Sequence, residues 1–197
     1  MEKLRTHDIT LKSGDIVLRP MTEDEWDLLL KWNNDPDVLY YSEGDEVTSR
    51  TLAEIQDIYR CVSRNAFCFI IELDGKPIGE GWLQRMNLDR ILKEFPDQDL
   101  RRIDLMIGEK QFWGQGIGTE VIRLLTEFGF EHQHAEAIFG CGVGDYNPRS
   151  RRAFEKNGYT IWQVTREPDD PKAKESHDLI LTKGAFHDQE GRSDPLC

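Results

Sequence analysis

A glycine-rich segment followed by a helical pattern is the feature that most constrains the fold of this chain. The segment reads FWGQGIGTEVIRLLTEFGF from residue 112 and carries Gly114, Gly116 and Gly118 at every second position. Apolar residues then recur at the i, i+3, i+4, i+7 spacing of an amphipathic helix, at Val121, Leu124, Leu125 and Phe128. The pattern predicts a glycine turn that leads directly into a helix.

Such a turn offers a binding site for an anion. The first N–H groups of a helix have no intrahelical partner and carry partial positive charge, and glycines let the backbone approach a phosphate closely. The two standard phosphate motifs do not match, because Thr119 and Glu120 follow Gly118 and the gap before that glycine is too short for the dinucleotide fingerprint. A glycine turn without a ligand is the alternative interpretation of these residues alone.

Strands are predicted on both sides of this helix. RIDLMIG precedes the glycines and AEAIFGCGVG follows the helix, so the two strands should form a parallel pair joined by a crossover helix. Asp74-Gly75 within FCFIIELDGKPIGEGWLQRM, and the pair of segments TIWQVTRE and HDLILTK, indicate antiparallel hairpins. The predicted fold class is α/β, a mixed sheet with helices on its faces, in a single domain over residues 1–197.

Local signals predict the remaining elements. DIVLRPM at 15–21 is a first strand, and Thr22 with Glu25 forms a capping box that begins a helix ending near NNDPD. A second helix is predicted over about 49–62, and a short one over NPRSRRAFEKNGY. VLYYSEGDE, the polar residues 87–100 and the tail 184–197 are predicted to be irregular.

Composition and charge exclude several function classes. The 197 residues carry a formal net charge of −12, whereas nucleic-acid binders present basic surfaces. No apolar run could cross a membrane and the N-terminus lacks the apolar core of a signal peptide, so we expect a cytoplasmic protein without a membrane partner. Four cysteines, at Cys61, Cys68, Cys141 and Cys197, lack metal-ligand spacing, which predicts free thiols and no metal site.

Acidic residues are concentrated in one segment. Residues 22–57 hold eleven Asp or Glu and two Lys or Arg, a net charge of −9. Two interpretations stay open: an ordinary solvated helical face, or a surface that attracts a cationic ligand.

Two motifs in order resemble the GNAT superfamily of acyl-CoA N-acyltransferases, and the resemblance covers about residues 15–183. IDLMIGEKQFWGQGIGTEVIRLL is similar to the acetyl-CoA pyrophosphate loop and its helix, and NPRSRRAFEKNGY is similar to the short helix after the fifth strand. The resemblance implies a mostly antiparallel sheet with helices on both faces and acetyl-CoA as co-substrate. It implies coenzyme contacts from Met106, Ile107, Trp113, Gly114, Gln115, Gly116, Ile117, Gly118, Thr119, Asn147 and Ser150.

A second run of glycines lies in the strand after the long helix. Gly140, Gly142 and Gly144 follow the period of a strand, which predicts one bare face with a groove beside it. In the superfamily the fourth and fifth strands splay apart and admit pantetheine between them. A bulged strand is the alternative interpretation.

The aminoglycoside 6′-N-acetyltransferases are the more similar subgroup, through WNNDPDV, DGKPIG and the I-D-x-x-I-G pattern of residues 103–108. That pattern implies that Asp104 lies at the acceptor amine as a base. A carboxylate can bind an ammonium and accept its proton, directly or through water. The alternative is a structural ion pair between Asp104 and Arg101 or Arg102.

The resemblance leaves the acceptor open. Phe154 replaces a tyrosine common in the aminoglycoside enzymes, and Ser150, suited to the CoA thiolate, is shared with ribosomal-protein N-terminal acetyltransferases. We expect a monomeric or homodimeric enzyme that acts on a cationic small-molecule amine. A protein N-terminus is the alternative acceptor, and a non-catalytic coenzyme-binding module is the third hypothesis. The expected acceptor contacts are Tyr40, Tyr41, Glu43, Trp82 and Asp104.

Overall fold

One mixed sheet forms the frame of the molecule. The computed structural model describes residues 3–42, 49–166 and 169–190. In these residues eight strands lie in the order β1-β2-β3-β4-β5-β6-β8-β7, and every neighbouring pair is antiparallel except β5 with β6. The predicted fold class is confirmed. The strands are β1 (Leu11–Ser13), β2 (Ile16–Pro20), β3 (Ala66–Leu73), β4 (Lys76–Arg85), β5 (Leu100–Ile107), β6 (Ala137–Gly144), β7 (Thr160–Arg166) and β8 (Glu175–Thr182).

Seven α-helices connect these strands in the described part of the chain. The capping box of Thr22 and Glu25 is present and begins a short 3₁₀ turn that leads into α1, and a second capping box at Thr51 and Glu54 begins α3. The long helix α5 widens into one further turn at its end, over Phe128–His132. The helices are α1 (Trp26–Trp32), α2 (Pro36–Ser42), α3 (Leu52–Val62), α4 (Asp89–Leu92), α5 (Ile117–Glu127), α6 (Pro148–Lys156) and α7 (Lys183–Glu190).

Helices cover both faces of the sheet. Because side chains alternate along a strand, Ile103 and Met106 of β5 point to opposite faces. Ile103 packs with residues of α5 such as Val121, and Met106 packs with Trp32 of α1 and Tyr59 of α3. The layered arrangement predicted from the resemblance is therefore present.

The parallel pair at the centre of the sheet is short. Residues 100–102 of β5 pair with residues 137–139 of β6, and in the described chain the two strands share no further register pairs. Past Arg102 the strands diverge, so the sheet opens toward the C-terminal end of β5. This opening is the position at which the resemblance predicts a pantetheine groove.

The structure corrects the prediction of a loop over VLYYSEGDE. Residues 38–42 belong to helix α2, while residues 43–48 lie outside the described part of the chain. Helix α1 ends at Trp32, next to the predicted NNDPD, but Pro36 of that segment is the first residue of the next helix, a position that proline favours. The side chain of Asp35 accepts the backbone N–H of Asp37 at 2.9 Å and so satisfies the new helix terminus.

The predicted loose tail is also partly wrong. Residues 183–190 form α7, and residues 191–197 lie outside the described residues. Phe186 is 8% exposed and stacks on Phe130 with ring centroids 4.9 Å apart. One aromatic contact with the core thus orders a segment whose composition is mostly polar. Within the polar stretch 87–100, the short helix α4 was likewise not predicted.

The glycine run of β6 forms a bulge and not a bare face. The register with β8 shifts between Gly140 and Val143, and Gly142 has a φ of 65°. A Cβ at Gly140 would lie 2.7 Å from the ring of Phe154, and one at Gly144 would lie 2.3 Å from the ring of Tyr146. The bulged strand, given above as the alternative interpretation, is therefore correct. Gly140 and Gly144 make room for aromatic rings and not for a ligand.

Three further features of the described residues concern membrane-spanning helices, metal sites and disulfides. Across the described ranges, every helix is too short or too polar to span a lipid bilayer. No group of three His, Cys, Asp or Glu side chains in those ranges is arranged to hold a metal ion. Cys61, Cys68 and Cys141 are free thiols, and burial raises the pKa of Cys141 to about 12.

Candidate active site

The glycine turn before α5 has the geometry of an anion site. Gly114 and Gly116 have φ values of 76° and 83°, a left-handed conformation that disfavours other residues. The first hydrogen bond of α5 runs from the N–H of Glu120 to the carbonyl of Gly116 at 3.1 Å. The amides of residues 117–119 therefore precede the intrahelical ladder and are available to a ligand.

A cavity of about 480 Å³ extends from this turn to α6. It brings together most of the residues predicted for coenzyme binding, from β5, from the glycine turn and from α6. Its size is within the range of small-molecule sites. The predicted residues that line it are Tyr41, Met106, Ile107, Trp113, Gly114, Gly116, Ile117, Gly118, Thr119, Asn147 and Ser150.

One predicted coenzyme residue is not part of the wall. Gln115 does not line the cavity, and its side-chain amide donates a hydrogen bond to the carbonyl of Gln111 at 2.7 Å. Its neighbour Trp113 does line the cavity and donates its indole N–H to the carbonyl of Ile107 at 2.6 Å. This bond ties the glycine turn to the end of β5, so the two walls of the groove are fixed relative to each other.

Helix α6 supplies the opposite wall. The Asn147 side chain caps the helix by accepting the N–H of Ser150 at 3.2 Å and donates to the carbonyl of Tyr41 at 3.4 Å. The hydroxyl of Ser150 makes no hydrogen bond with another described residue and lines the cavity. It is therefore available to a group bound in the groove.

Three basic residues of α6 in the same wall were not predicted. Arg149, Arg152 and Lys156 line the cavity, and the guanidinium of Arg149 lies 4.3 Å from the ring centroid of Tyr41 and 4.7 Å from that of Trp113. Basic side chains together with free helix amides are the donor set that phosphate groups require. The signal was present in the sequence, because PRSRRAFEK is a basic run in an acidic chain.

Asp104 lies on β5 just past the point where β5 and β6 diverge, and its carboxylate has three donors. Arg102 binds it with two hydrogen bonds, from Nη2 to Oδ1 at 2.6 Å and from Nε to Oδ2 at 2.7 Å. Trp82, its cross-strand neighbour on β4, donates its indole N–H to Oδ2 at 3.1 Å. The ion pair considered as the alternative role of Asp104 is thus present, with Arg102 and not with Arg101. Asp104 does not itself line the main cavity.

A second carboxylate on β8 faces the same opening and was not predicted. Asp178 is 3% exposed, is paired with Arg90 of α4 and accepts the N–H of Gly142 at 2.9 Å. Burial acts to lower the pKa of Arg102, but the carboxylates of Asp104 and Asp178 raise it above its usual value. Two ion pairs, Arg102 with Asp104 and Arg90 with Asp178, are therefore close enough to influence each other electrostatically.

A cluster of aromatic rings adjoins the groove at Tyr41, which lines it. Tyr40 packs edge-on against Tyr41 with centroids 4.9 Å apart, and Tyr146 lies 5.7 Å from Tyr40. The ammonium of Lys172 lies 4.5 Å from the centroid of Tyr40 and 4.3 Å from that of Tyr146. The cationic groups of Arg149 and Lys172 are thus held against the faces of aromatic rings. Glu43, the remaining predicted acceptor contact, lies outside the described residues.

The acidic segment 22–57 is largely used in the fold. Five of its eight described carboxylates have internal partners, so the net charge of the segment does not by itself identify a ligand site. These contacts are Glu23 with Arg60, Glu25 with Arg19, Asp35 and Asp37 with Lys110, and Glu54 with the N-terminus of α3.

Comparisons with known proteins show the family of this chain. The sequence matches the acetyltransferase (GNAT) domain over residues 15–160. It is 27% identical over 183 residues to the aminoglycoside N(6′)-acetyltransferase type 1 of Klebsiella pneumoniae, covering 90% of this chain and 88% of the relative. It is 22% identical over 158 residues to an N-acetyltransferase 9-like protein of Nematostella vectensis, covering 78% of each.

The fold comparison gives the same family. The structure of AAC(6′)-Ib in complex with ribostamycin and coenzyme A superposes with a TM-score of 0.77 at 26% identity, over 92% of this chain and 100% of that chain. AAC(6′)-Ib in complex with coenzyme A superposes with a TM-score of 0.74 at 24% identity, over 89% and 99%. The chain therefore belongs to the GNAT acetyltransferase family and is an acetyl-CoA-dependent N-acetyltransferase.

Proposed function

We propose that this enzyme acetylates a primary amine of a cationic small molecule of the aminoglycoside class. The observation that carries the proposal is the aromatic cluster beside the groove, where Tyr40 and Tyr146 hold the ammonium of Lys172 between their rings. Rings that bind an internal ammonium have the chemistry to bind one from a substrate. The Klebsiella relative is named as an aminoglycoside enzyme, which supports the same acceptor class.

Asp104 and Ser150 supply complementary chemistry for the transfer. The amine nitrogen attacks the thioester carbonyl only after losing a proton, and the carboxylate of Asp104 is a proton acceptor for it, directly or through water. As the carbon–sulfur bond breaks, negative charge develops on sulfur, and the Ser150 hydroxyl is a donor for that charge. Because Arg102 occupies both oxygens of Asp104, the substrate ammonium must compete with this guanidinium.

A panel of amines should identify the acceptor class. We expect turnover with acetyl-CoA for aminoglycosides, weaker turnover for linear polyamines, and none for peptides with neutral N-terminal sequences. Attraction between exposed charges is screened over about 8 Å at physiological ionic strength. Added salt should therefore raise the KM for the amine more than the KM for acetyl-CoA. Steady-state assays of released thiol measure both constants, and turnover confined to peptides would favour the protein N-terminus instead.

Removing Lys172 should improve the binding of a cationic acceptor. In a Lys172→Met variant the rings of Tyr40 and Tyr146 lose their internal ammonium and become open to one from the substrate. A cation–π contact is worth about 0.5–2 kcal/mol, so the KM for the amine should fall roughly two- to thirtyfold. Lys174→Met is the matched control, since Lys174 lies in the same loop but donates to the carbonyl of Asp170 at 2.6 Å. Equal effects of both variants would show a general charge effect and remove the rings from acceptor binding.

A further inference from the structure

A second cavity, of about 320 Å³, lies at the other end of β5 from the coenzyme groove. Its walls come from the segment before β1, the turn between α3 and β3, the end of β4, the start of β5 and the end of the helical region after α5. The lining residues are Arg5, Thr6, His7, Ser63, Arg64, Asn65, Ala66, Phe67, Arg85, Arg101 and Gln133.

The charge of this cavity is opposite to that of the whole chain. Among the described residues, four arginines line it and no Asp or Glu does, although the protein carries a net charge of −12. One of the four, Arg101, is neutralised by Asp99, which it binds through Nε at 2.6 Å and Nη2 at 2.9 Å. Arg5 and Arg85 make no ion pair with any described residue. Arg5 and Arg85 therefore give the cavity positive charge that no carboxylate among the described residues pairs with.

The sheet register holds two of these charges close together. Arg85 and Arg101 are direct cross-strand partners in the antiparallel β4–β5 pair. Like charges opposite each other on neighbouring strands are destabilising, but Asp99 offsets the charge of Arg101, which is only 4% exposed. Arg85 beside it has no carboxylate partner among the described residues, so an anion bound here would supply its counter-charge and accept charge-assisted hydrogen bonds from it.

The other polar lining residues add no negative charge. Burial lowers the pKa of His7 below its usual value, and both ring nitrogens are already engaged, Nε2 with the carbonyl of Cys68 at 3.0 Å and Nδ1 with the N–H of Ile9 at 3.2 Å, so this ring leaves the donors to its neighbours. The amides of Asn65 and Gln133 also face the cavity as lining residues. An anion would thus meet guanidinium groups and neutral donors together.

We propose that this cavity is a binding site for a small polyanion carrying phosphate or carboxylate groups. It is separate from the coenzyme groove, because Arg101 and Ile107 are six positions apart on β5, about 20 Å at 3.3 Å per residue in a strand. Its volume is near the lower limit of small-molecule sites, which suits a compact ligand and not a nucleotide coenzyme.

Calorimetric titration of the full-length protein saturated with CoA tests the site directly. Saturation keeps the probe out of the glycine turn, which also has free amides. The probes are pyrophosphate and citrate, and we expect saturable binding with one site per chain. Preference for pyrophosphate or for citrate then assigns the site to phosphates or to carboxylates. Removing one charged donor should weaken binding roughly tenfold or more, so Arg85→Gln and Arg64→Gln are the test variants.

Arg166→Gln is the matched control, because it removes the same charge from the edge strand β7, where Arg166 pairs with Glu175 at 3.1 Å. Its affinity for the probe should stay within twofold of the wild type. Thermal melts without the probe establish whether each variant folds. If one of the two test variants does not fold, the affinity of the other tests the proposal. Absence of saturable binding to the wild type, affinity unchanged in the folded Arg85 and Arg64 variants, or equal weakening by Arg166→Gln would each overturn the proposal.

Discussion

A Gly116→Asp variant should bind acetyl-CoA roughly 100-fold more weakly than a Gly116→Asn variant. Gly116 has a φ of 83°, and its added Cβ would meet no atom within 4 Å. Asp and Asn both tolerate this left-handed conformation better than other side chains, so the pair differs almost only in charge. A carboxylate about 5 Å from the pyrophosphate at an effective dielectric constant of about 20 repels it by about 3 kcal/mol per charge pair, which corresponds to the expected ratio.

Gly75 provides the control for this experiment. It has a φ of 71° and open space around its Cβ, but it lies in the β3–β4 turn outside the groove. Gly75→Asp should therefore leave acetyl-CoA affinity within twofold of the wild type. Calorimetry measures the acetyl-CoA affinity of the wild type and of the three folded variants. Equal binding by the Gly116→Asp and Gly116→Asn variants would mean that the pyrophosphate is bound elsewhere, and the coenzyme assignment of the glycine turn would be wrong.

The elements that the sequence predicts correctly are those with a local cause. The capping box at Thr22 and Glu25, the Asp74-Gly75 turn and the amphipathic period of α5 each depend on residues close together in the chain. Helix α2 has local signals as well, in Asp35 and Pro36, but the same residues are equally typical of the end of the preceding helix. Helix α7 could not be predicted this way, because the contact that buries Phe186 comes from Phe130, far away in the sequence.

The candidate site shows the same difference between residues in local motifs and residues brought together from distant parts of the chain. The glycine turn and α6 are contiguous motifs, and the structure brings their residues to one cavity. Asp178 gave no local signal, because its partner Arg90 is 88 residues away and its hydrogen bond to Gly142 depends on the β6–β8 pairing. The stacking of Arg149 on Tyr41 and Trp113 likewise joins three separate segments. A single sequence records which residues are basic or aromatic, but not which of them meet.

Asp104→Asn should lower turnover at neutral pH by roughly 10²–10⁴-fold, the usual loss when a positioned base is removed. The substitution keeps the shape of the side chain and an oxygen that can accept the indole N–H of Trp82, but it removes the charge. Acetyl-CoA affinity should stay near that of the wild type, since Asp104 does not line the coenzyme cavity. Much of the lost rate should return at high pH, where the amine loses its proton without help.

Arg102 makes it possible to separate this role from a purely structural one. Its side chain is 18% exposed and binds both oxygens of Asp104, so Asp104→Asn alone leaves a largely buried guanidinium without its counter-charge. If the pair is only structural, Asp104→Asn should lose thermal stability and activity together. The double variant Asp104→Asn/Arg102→Gln should then regain both, because neither charge remains.

If Asp104 accepts the proton of the amine, the double variant should regain stability but stay inactive at neutral pH, and Arg102→Gln alone should keep much of its activity. Removing Arg102 frees Oδ1 of Asp104 and leaves Oδ2 only the Trp82 bond, so the carboxylate is more open to the substrate ammonium and the KM for a cationic amine should not rise in that single variant. Thermal melts and pH–rate profiles of the three proteins distinguish the two roles. A double variant with near-normal turnover at neutral pH would exclude Asp104 from the proton transfer and leave bulk water as the acceptor.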